Sequence, residues 1–438
     1  MFSRQFDPIV SMAIDVVKQK LQEANSSGDN SQNNPQSAMK LAQPALEMAA
    51  RSLIGKPLPT DAYNVLANFV IRDIFYLGPL EELLSDNTVT EIMVNAPDDV
   101  RIERNGKIVN VNVHFFNDEH IRRVIERLVT NDNRRCDEAV PMQNCILQRP
   151  GSSCHGSRVN VTIPPASIDH PTITIRKFRD DAMTPDELIA NGSMDEKTAQ
   201  FLEALVLGRM NIMIIGGTGS GKTTMLNTCS NFIPDDQRII TIEDTAELKL
   251  QNDHVIRLQS RDANAEGAGE ITIQDLLINT LRQRPDRIVV GECRGAEAMD
   301  MLQAMSTGHD GSLTTLHANN AKEAVSRVQT LINMTGYDLT VSAIRELYSQ
   351  AVDFVVTVKR YPDGSRKISE IVEICGMETD TVITMEPIIK FHQTGEVVDK
   401  DGHRHIVGEF KSTGGRPNAD HMERFHSNGV QMLDRWFM

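Results

Sequence analysis

Paired cysteines are missing from this sequence. Its six cysteines, at 136, 145, 154, 229, 293 and 375, contain no Cys-x-x-Cys pair, so neither a zinc module of that type nor a disulfide framework is expected. Reduced thiols in a cytosol are the resulting expectation. Long apolar runs are missing as well: no window approaches about 18 uninterrupted apolar residues, the length that would read as a bilayer span. The opening stretch, MFSRQFDPIVSMAIDVVKQKLQEA, has Asp7 and Asp15 inside its apolar part and no small-residue cleavage site, so it does not read as a signal peptide. Excess positive charge is absent too. A formal net charge of -15 argues against a protein that coats nucleic acid, which needs clustered Lys and Arg. No Asn-Lys-x-Asp base-reading motif occurs, which removes a G-protein.

What is present begins with a length of 438 residues, room for roughly three domains. Phe6, Val10, Ala13, Val17 and Leu21 recur at helical spacing and predict an amphipathic helix over the first 24 residues. NSSGDNSQNNPQS, residues 25–37, reads as a flexible polar linker. Residues 38–80 alternate helical patterns with prolines. The period then changes to two: strands are expected at Val89 to Val94 and Val100 to Glu103, with Asn105-Gly106 as a hairpin turn. The helix DEHIRRVIERLV and the strands SRVNVTIPP and TITIRKF complete a mixed α/β domain, and MTPDELIANGSM connects it to the next.

From about residue 195 strands and helices alternate, the pattern of a largely parallel sheet covered by helices. The chain therefore reads as an α/β protein in four parts. Residues 1–65 form a helical extension, 66–185 a mixed α/β domain, 190–375 a P-loop NTPase domain with a mostly parallel sheet, and 376–438 a strand-rich segment ending in a short helix.

The stretch IIGGTGSGKTTML passes from an apolar strand into a Gly-rich turn and on into a helix. Gly216-x-x-x-x-Gly221-Lys222-Thr223 fits the P-loop pattern. Gly216, Gly217, Thr218, Gly219, Ser220, Gly221, Lys222, Thr223 and Thr224 would line a nucleotide there. Backbone N–H groups would curl around phosphates at a helix N-terminus, Lys222 would reach the β/γ oxygens and the Thr223 hydroxyl would ligate Mg²⁺. ATP and Mg²⁺ are the ligands implied.

Two further strands end in acids: TIED in Glu243 and Asp244, RIVVGE in Glu292. Strand C-terminal ends in such a sheet lie together beside the P-loop. Gly291 stands where an aspartate is usual, so Glu292 is assigned to the metal through water and Glu243 to the base. His309 and His317 flank the following strand and are read as γ-phosphate sensors.

Taken together, GGTGSGKTT, TIEDTAEL and LRQRPDRIVVGECRGAEAMDMLQAMSTGHDGSLTTLHANN resemble the four nucleotide motifs of type II and type IV secretion and type IV pilus ATPases. GPLEELL, VTEIMVN, RIERNGK, GSRVNVTIPP, TIRKF and the tail GEFKSTGGRP extend the likeness over roughly residues 65–420, toward the TadA/CpaF subfamily of Flp (tight-adherence) pilus ATPases. The resemblance implies a RecA-like ATPase domain and a cytoplasmic homohexamer docked on the inner membrane through platform proteins, with no structural metal and no direct nucleic acid. It implies ATP hydrolysis driving pilus assembly, with a conjugative or type IV secretion ATPase as the alternative. It also implies that Arg158 and Arg176 approach the phosphates from the N-terminal domain, and that Arg282 and Arg294 lie near the nucleotide. One departure is MQNCILQRPGSSCHGSRVN, longer than the usual approach to Arg158. Residues 1–60 match no motif of the family.

Overall fold

The computed structural model describes residues 3–26, 34–104, 106–178, 183–263, 267–398, 402 and 404–437; most of the linker expected at 25–37 and the Asn105 half of the hairpin turn lie outside these. The chain divides into two compact units, Met1–Asp180 and Asp181–Met438.

The first unit opens with α1 (Asp7–Ser26), α2 (Pro35–Ile54) and α3 (Thr60–Phe75). α1 buries Ile9, Val10, Ala13, Ile14, Val17 and Leu21, close to the stripe its spacing predicts. α2 answers with Ala38, Ala42, Ala45, Ala49 and Ala50, side chains small enough to let the helix backbones approach. After the short α4 (Glu81–Ser85) come β1 (Val89–Ala96), β2 (Asp99–Arg104), β3 (Lys107–Asn110), α5 (Asp118–Asn131), β4 (Met142–Ile146), β5 (Arg158–Thr162) and β6 (Thr172–Arg176). The strands form one antiparallel sheet in the order β3-β2-β1-β6-β5-β4.

α5 buries Ile121, Val124, Ile125, Leu128 and Val129 in the core of this sheet domain. It also carries a polar tie to the helices. His120 Nδ1 accepts the Phe116 N–H at 3.2 Å, which leaves the proton on Nε2, 2.5 Å from the buried Asp73 carboxylate of α3. The long stretch before Arg158 resolves into a hairpin. β4 pairs with β5 from Met142↔Thr162 to Ile146↔Arg158, and Leu147 and Gly156 bond across its closed end.

The second unit contains α6 (Pro185–Ala190), α7 (Glu196–Leu207), β7 (Ile212–Ile215), α8 (Lys222–Ser230), β8 (Ile239–Glu243), β9 (Val255–Gln259), α9 (Ile273–Thr280), β10 (Arg287–Cys293), α10 (Glu297–Ser306), β11 (Leu313–Leu316), α11 (Ala321–Met334), α12 (Val341–Ala351), β12 (Phe354–Arg360), β13 (Arg366–Thr379), β14 (Val382–Val398), β15 (Arg404–Ser412) and α13 (Ala419–Ser427). The sheet order is β15-β14-β13-β12-β7-β11-β10-β8-β9. From β12 to β9 every pair is parallel, and from β12 to β15 every pair is antiparallel.

The central strands, IMII, IITIE and LTTL, are buried throughout, which is why none of them alternates apolar with polar residues as a half-exposed strand would. Two cores result. One holds Phe201, Leu205, Ile214, Leu226 and Phe354; the other holds Ile215, Ile242, Leu302, Leu316 and Tyr348. The strand-rich segment beyond residue 375 continues this sheet without a break.

α13 is fastened to the sheet by charge. His421 Nδ1 lies 2.5 Å from Glu373 Oε1 and Nε2 lies 3.2 Å from Asp353 Oδ1, while Arg424 donates to Asp353 Oδ2 at 2.8 Å. Burial works against a charged ring, but the two carboxylates outweigh it and lift His421 to about 9. A folded value above the ordinary 6.5 means the stabilisation is complete below about pH 6.5 and is lost as pH rises through about 9. The unfolding free energy measured between pH 6.5 and 9.5 is therefore expected to fall as pH rises in the wild type. The His421→Leu variant should lose that slope; an unchanged slope would reject the assignment.

Candidate functional site

β7 delivers the chain into residues 216–221 at its C-terminal end, and α8 starts at Lys222. A Cβ on Gly216 would stand 2.3 Å from the Val358 carbonyl and 2.4 Å from Ser220 Oγ, so only glycine fits. Gly219 at φ 69 and Gly221 at φ 98 adopt the left-handed backbone that turns the peptides inward. Thr218 and Gly217 are exposed on the rim, Ser220 is buried, and Thr223 and Thr224 occupy the first turn of α8, half-buried. The Lys222 ammonium lies within the loop, donating to the carbonyls of Gly216 at 3.1 Å and Gly217 at 3.2 Å. It is also 3.4 Å from each ring nitrogen of His317.

His317 follows β11, the neighbour of β7, and passes the chain of polar contacts outward. Its Nε2 is 3.0 Å from Glu292 Oε1, at an angle too bent for a hydrogen bond. Burial holds the imidazole below its ordinary value; Glu292 opposes this, while the Lys222 and Arg294 cations add to it. Arg294 donates to Glu292 Oε2 at 2.8 Å and approaches Asp244 at 3.5 Å, and the Glu292 bond lifts the guanidinium further. Lys222, His317, Glu292, Arg294 and Asp244 thus form a continuous row across the C-terminal ends of four strands.

Glu243 ends β8 and is 2% exposed. Its Oε2 accepts the Glu247 and Leu248 N–H groups at 2.7 and 2.8 Å, while Oε1 is buried without a hydrogen-bond partner. Burial pushes this carboxyl up to about 7 in spite of those two donors. Position 291, where an aspartate is missing, is sterically tight. A Cβ on Gly291 would lie 3.2 Å from Glu243 Cγ and 3.6 Å from its Cβ, a tight contact that Glu243 would have to yield to by a few tenths of an ångström.

Other residues singled out in the sequence lie elsewhere. Since β11 runs parallel to β7, with Leu313 beside Ile212 and Leu316 beside Ile215, the turn carrying His309 is at the opposite end of the strands from the loop. Within this unit His309, read as a γ-phosphate sensor, is therefore not beside the loop; its carbonyl accepts from Ser312 Oγ at 2.7 Å. Arg282 also sits at that far end, exposed in the turn that leads into β10. Arg158 and Arg176 belong to the first unit, where they are direct cross-strand partners, with Glu91 opposite Arg176 on its other side.

Two residues with no sequence signal do join the loop. Arg366 Nε donates to the Gly219 carbonyl at 2.8 Å, and Arg360 Nη1 comes within 3.6 Å of where a Cβ on Gly219 would stand.

The fit to a nucleotide can be judged from these groups. A glycine loop with no room for a Cβ at Gly216, an ammonium inside it, a helix N-terminus behind it and acids on the neighbouring strands suit a polyphosphate with a divalent cation.

Comparison with known proteins identifies a family. The profile described as type II/IV secretion system protein matches residues 76–361. A putative conjugal transfer protein of Mycobacterium tuberculosis is 35% identical over 310 residues, covering 70% of this chain and 88% of that protein. The type IV secretion system protein VirB11 of Brucella suis is 32% identical over 327 residues, covering 68% and 89%. The crystal structure of the Brucella suis VirB11 ATPase in complex with sulphate aligns over 68% of this chain and 96% of its own, at 29% identity and a TM-score of 0.36. The chain belongs to the type II/IV secretion system protein family.

Proposed function

We propose that this chain binds Mg·ATP at residues 216–224, hydrolyses it, and uses the resulting domain motion to drive a type IV secretion or conjugal-transfer machine. The observation that carries the reading is the row from Lys222 through His317 to Glu292, with the carboxyl of Glu243 poised near neutrality beside it. Lys222 shifts from loop carbonyls to β/γ-phosphate oxygens. Glu243 Oε1, the oxygen with no hydrogen bond, accepts a proton from the attacking water as the new P–O bond forms and the β,γ-bridging bond breaks. Thr223, and Glu292 through water, hold the Mg²⁺, which neutralises phosphate charge when bound. His317 ties the state of the phosphate site to Glu292. Arg158 and Arg176, side by side on the first unit's sheet, supply further positive charge on domain closure in a homohexameric ring. The ring works in the cytoplasm, docked on inner-membrane partners.

The printed names of the relatives, conjugal transfer protein and VirB11, favour secretion traffic. The motifs GSRVNVTIPP and GEFKSTGGRP favour a second reading, a TadA/CpaF-type motor for Flp pilus assembly.

Complementation of a deletion strain separates the two. The wild-type gene should restore substrate or plasmid transfer, and Lys222→Ala should lower it by about 10²-fold or more, as expected when a phosphate-binding cation is lost. Restoration of surface pili with no effect on transfer would reverse the preference. Equal rescue by Lys222→Ala in both assays would sink both readings.

A further inference from the structure

The β12–β13 hairpin places two guanidiniums on the P-loop from the side away from the acids. In the sheet order, β12 lies on one side of β7, whereas β11, β10 and β8, which lead to His317, Glu292 and Glu243, lie on the other. Thr357 pairs beside Ile215, so β12 runs past the loop and Arg360 emerges level with it. Arg366, the direct cross-strand partner of Arg360, donates to the Gly219 carbonyl at 2.8 Å and packs its Cδ 3.3 Å from where a Gly221 Cβ would be.

The turn between them is closed by its own hydrogen bonds. Tyr361 N–H donates to the Ser365 carbonyl and Gly364 N–H to that of Tyr361. Asp363, the acid of this turn, is committed elsewhere: it accepts Ser365 N–H and Oγ–H through Oδ1 and the Ile406 N–H at 2.6 Å through Oδ2. The next rung, Lys359 opposite Lys367, faces the other side of the sheet, where Lys367 Nζ donates to the Gly192 carbonyl at 2.7 Å.

We propose that Arg360 and Arg366 form a second cationic clamp, contacting the α/β-phosphate end of the bound nucleotide while Lys222 and His317 face the γ end. The proposal rests on the nucleotide-binding reading above. The commitment to the α/β end follows from the flank: the γ end belongs on the side of Glu292 and Glu243, where the bond is cut. The clamp contributes to ADP as much as to ATP.

The test is calorimetric titration of the full chain with Mg·ADP and with a non-hydrolysable Mg·ATP analogue, at several salt concentrations. Arg360→Gln and Arg366→Gln keep the first two methylenes and a hydrogen-bond donor while removing charge. Each is expected to weaken both nucleotides by about tenfold, the loss of one charge-assisted contact, and to make the salt dependence of Kd shallower. A guanidinium that merely braces the loop would leave the salt slope alone. Arg366→Lys should recover part of the affinity and the slope. Wild-type affinity and slope in both Gln variants, alongside clear loss in Lys222→Ala, would overturn the clamp and leave the nucleotide reading standing. Failure of the wild type to bind either nucleotide would overturn that reading first. Loss for the ATP analogue alone would also overturn the clamp, since it moves the contact to the γ end.

Discussion

Glu243→Gln is expected to lower ATP hydrolysis by about 10²- to 10⁴-fold, the span that general-base catalysis contributes, while nucleotide still binds. The substitution keeps the acceptor for the Glu247 and Leu248 N–H groups and removes only the ability of the other oxygen to take a proton. The pH profile gives a second handle. With the carboxyl lifted to about 7 by burial, the wild-type rate should fall as pH drops through about 7, because the base becomes protonated. The residual rate of the variant should lack that limb.

Stability runs the other way. The folded value lies above the ordinary 4.5, so the group favours folding fully below 4.5, and this contribution is lost as pH rises to about 7. Relative to the wild type, the Gln variant should therefore gain at most about 3 kcal/mol of unfolding free energy over that window. A rate within tenfold of wild type, with the acidic limb intact, would remove Glu243 from the base role.

The second large effect is structural. Arg287, at the start of β10, is fully buried, and burial pushes its guanidinium down to about 9. Its three hydrogen bonds end on neutral acceptors: Gln237 Oε1 at 2.6 Å, the Gly311 carbonyl at 3.1 Å and the Val206 carbonyl at 2.8 Å. One side chain thus joins β10 to the end of α7, the turn before β11 and the approach to β8. Replacing it by Ala leaves a cavity and three unsatisfied acceptors, an expected loss of about 3–5 kcal/mol. Denaturant unfolding of the wild type and Arg287→Ala measures it. Lys at 287 keeps the charge but cannot fork, and should recover only part. A loss below about 1 kcal/mol would mean that the contacts are dispensable.

How much of this was legible in the sequence depends on whether a contact is local. The P-loop was, because strand, glycines, lysine and helix follow one another directly. Glu243, Glu292 and His317 were, because each ends a strand that a parallel sheet aligns with its neighbours. That His309 and Arg282 lie at the other end of the strands was not legible, for the complementary reason: nearness to a motif along the chain does not say at which end of a strand a residue falls. Sequence reading also passed over β12, and with it Arg360 and Arg366. Arg366 meets Gly219 across 147 residues of chain, through a strand pairing that no spacing announces. Gly291 reads in sequence as a missing aspartate; in space it lies against the Glu243 side chain.

The central claim is that residues 216–224 turn over ATP. Steady-state phosphate release from Mg·ATP by the purified full chain, wild type beside Lys222→Ala, tests it most directly. The account predicts steady turnover in the wild type and a loss of about 10²-fold or more in the variant. Equal rates in the two proteins, or none in either with nucleotide bound, would contradict it.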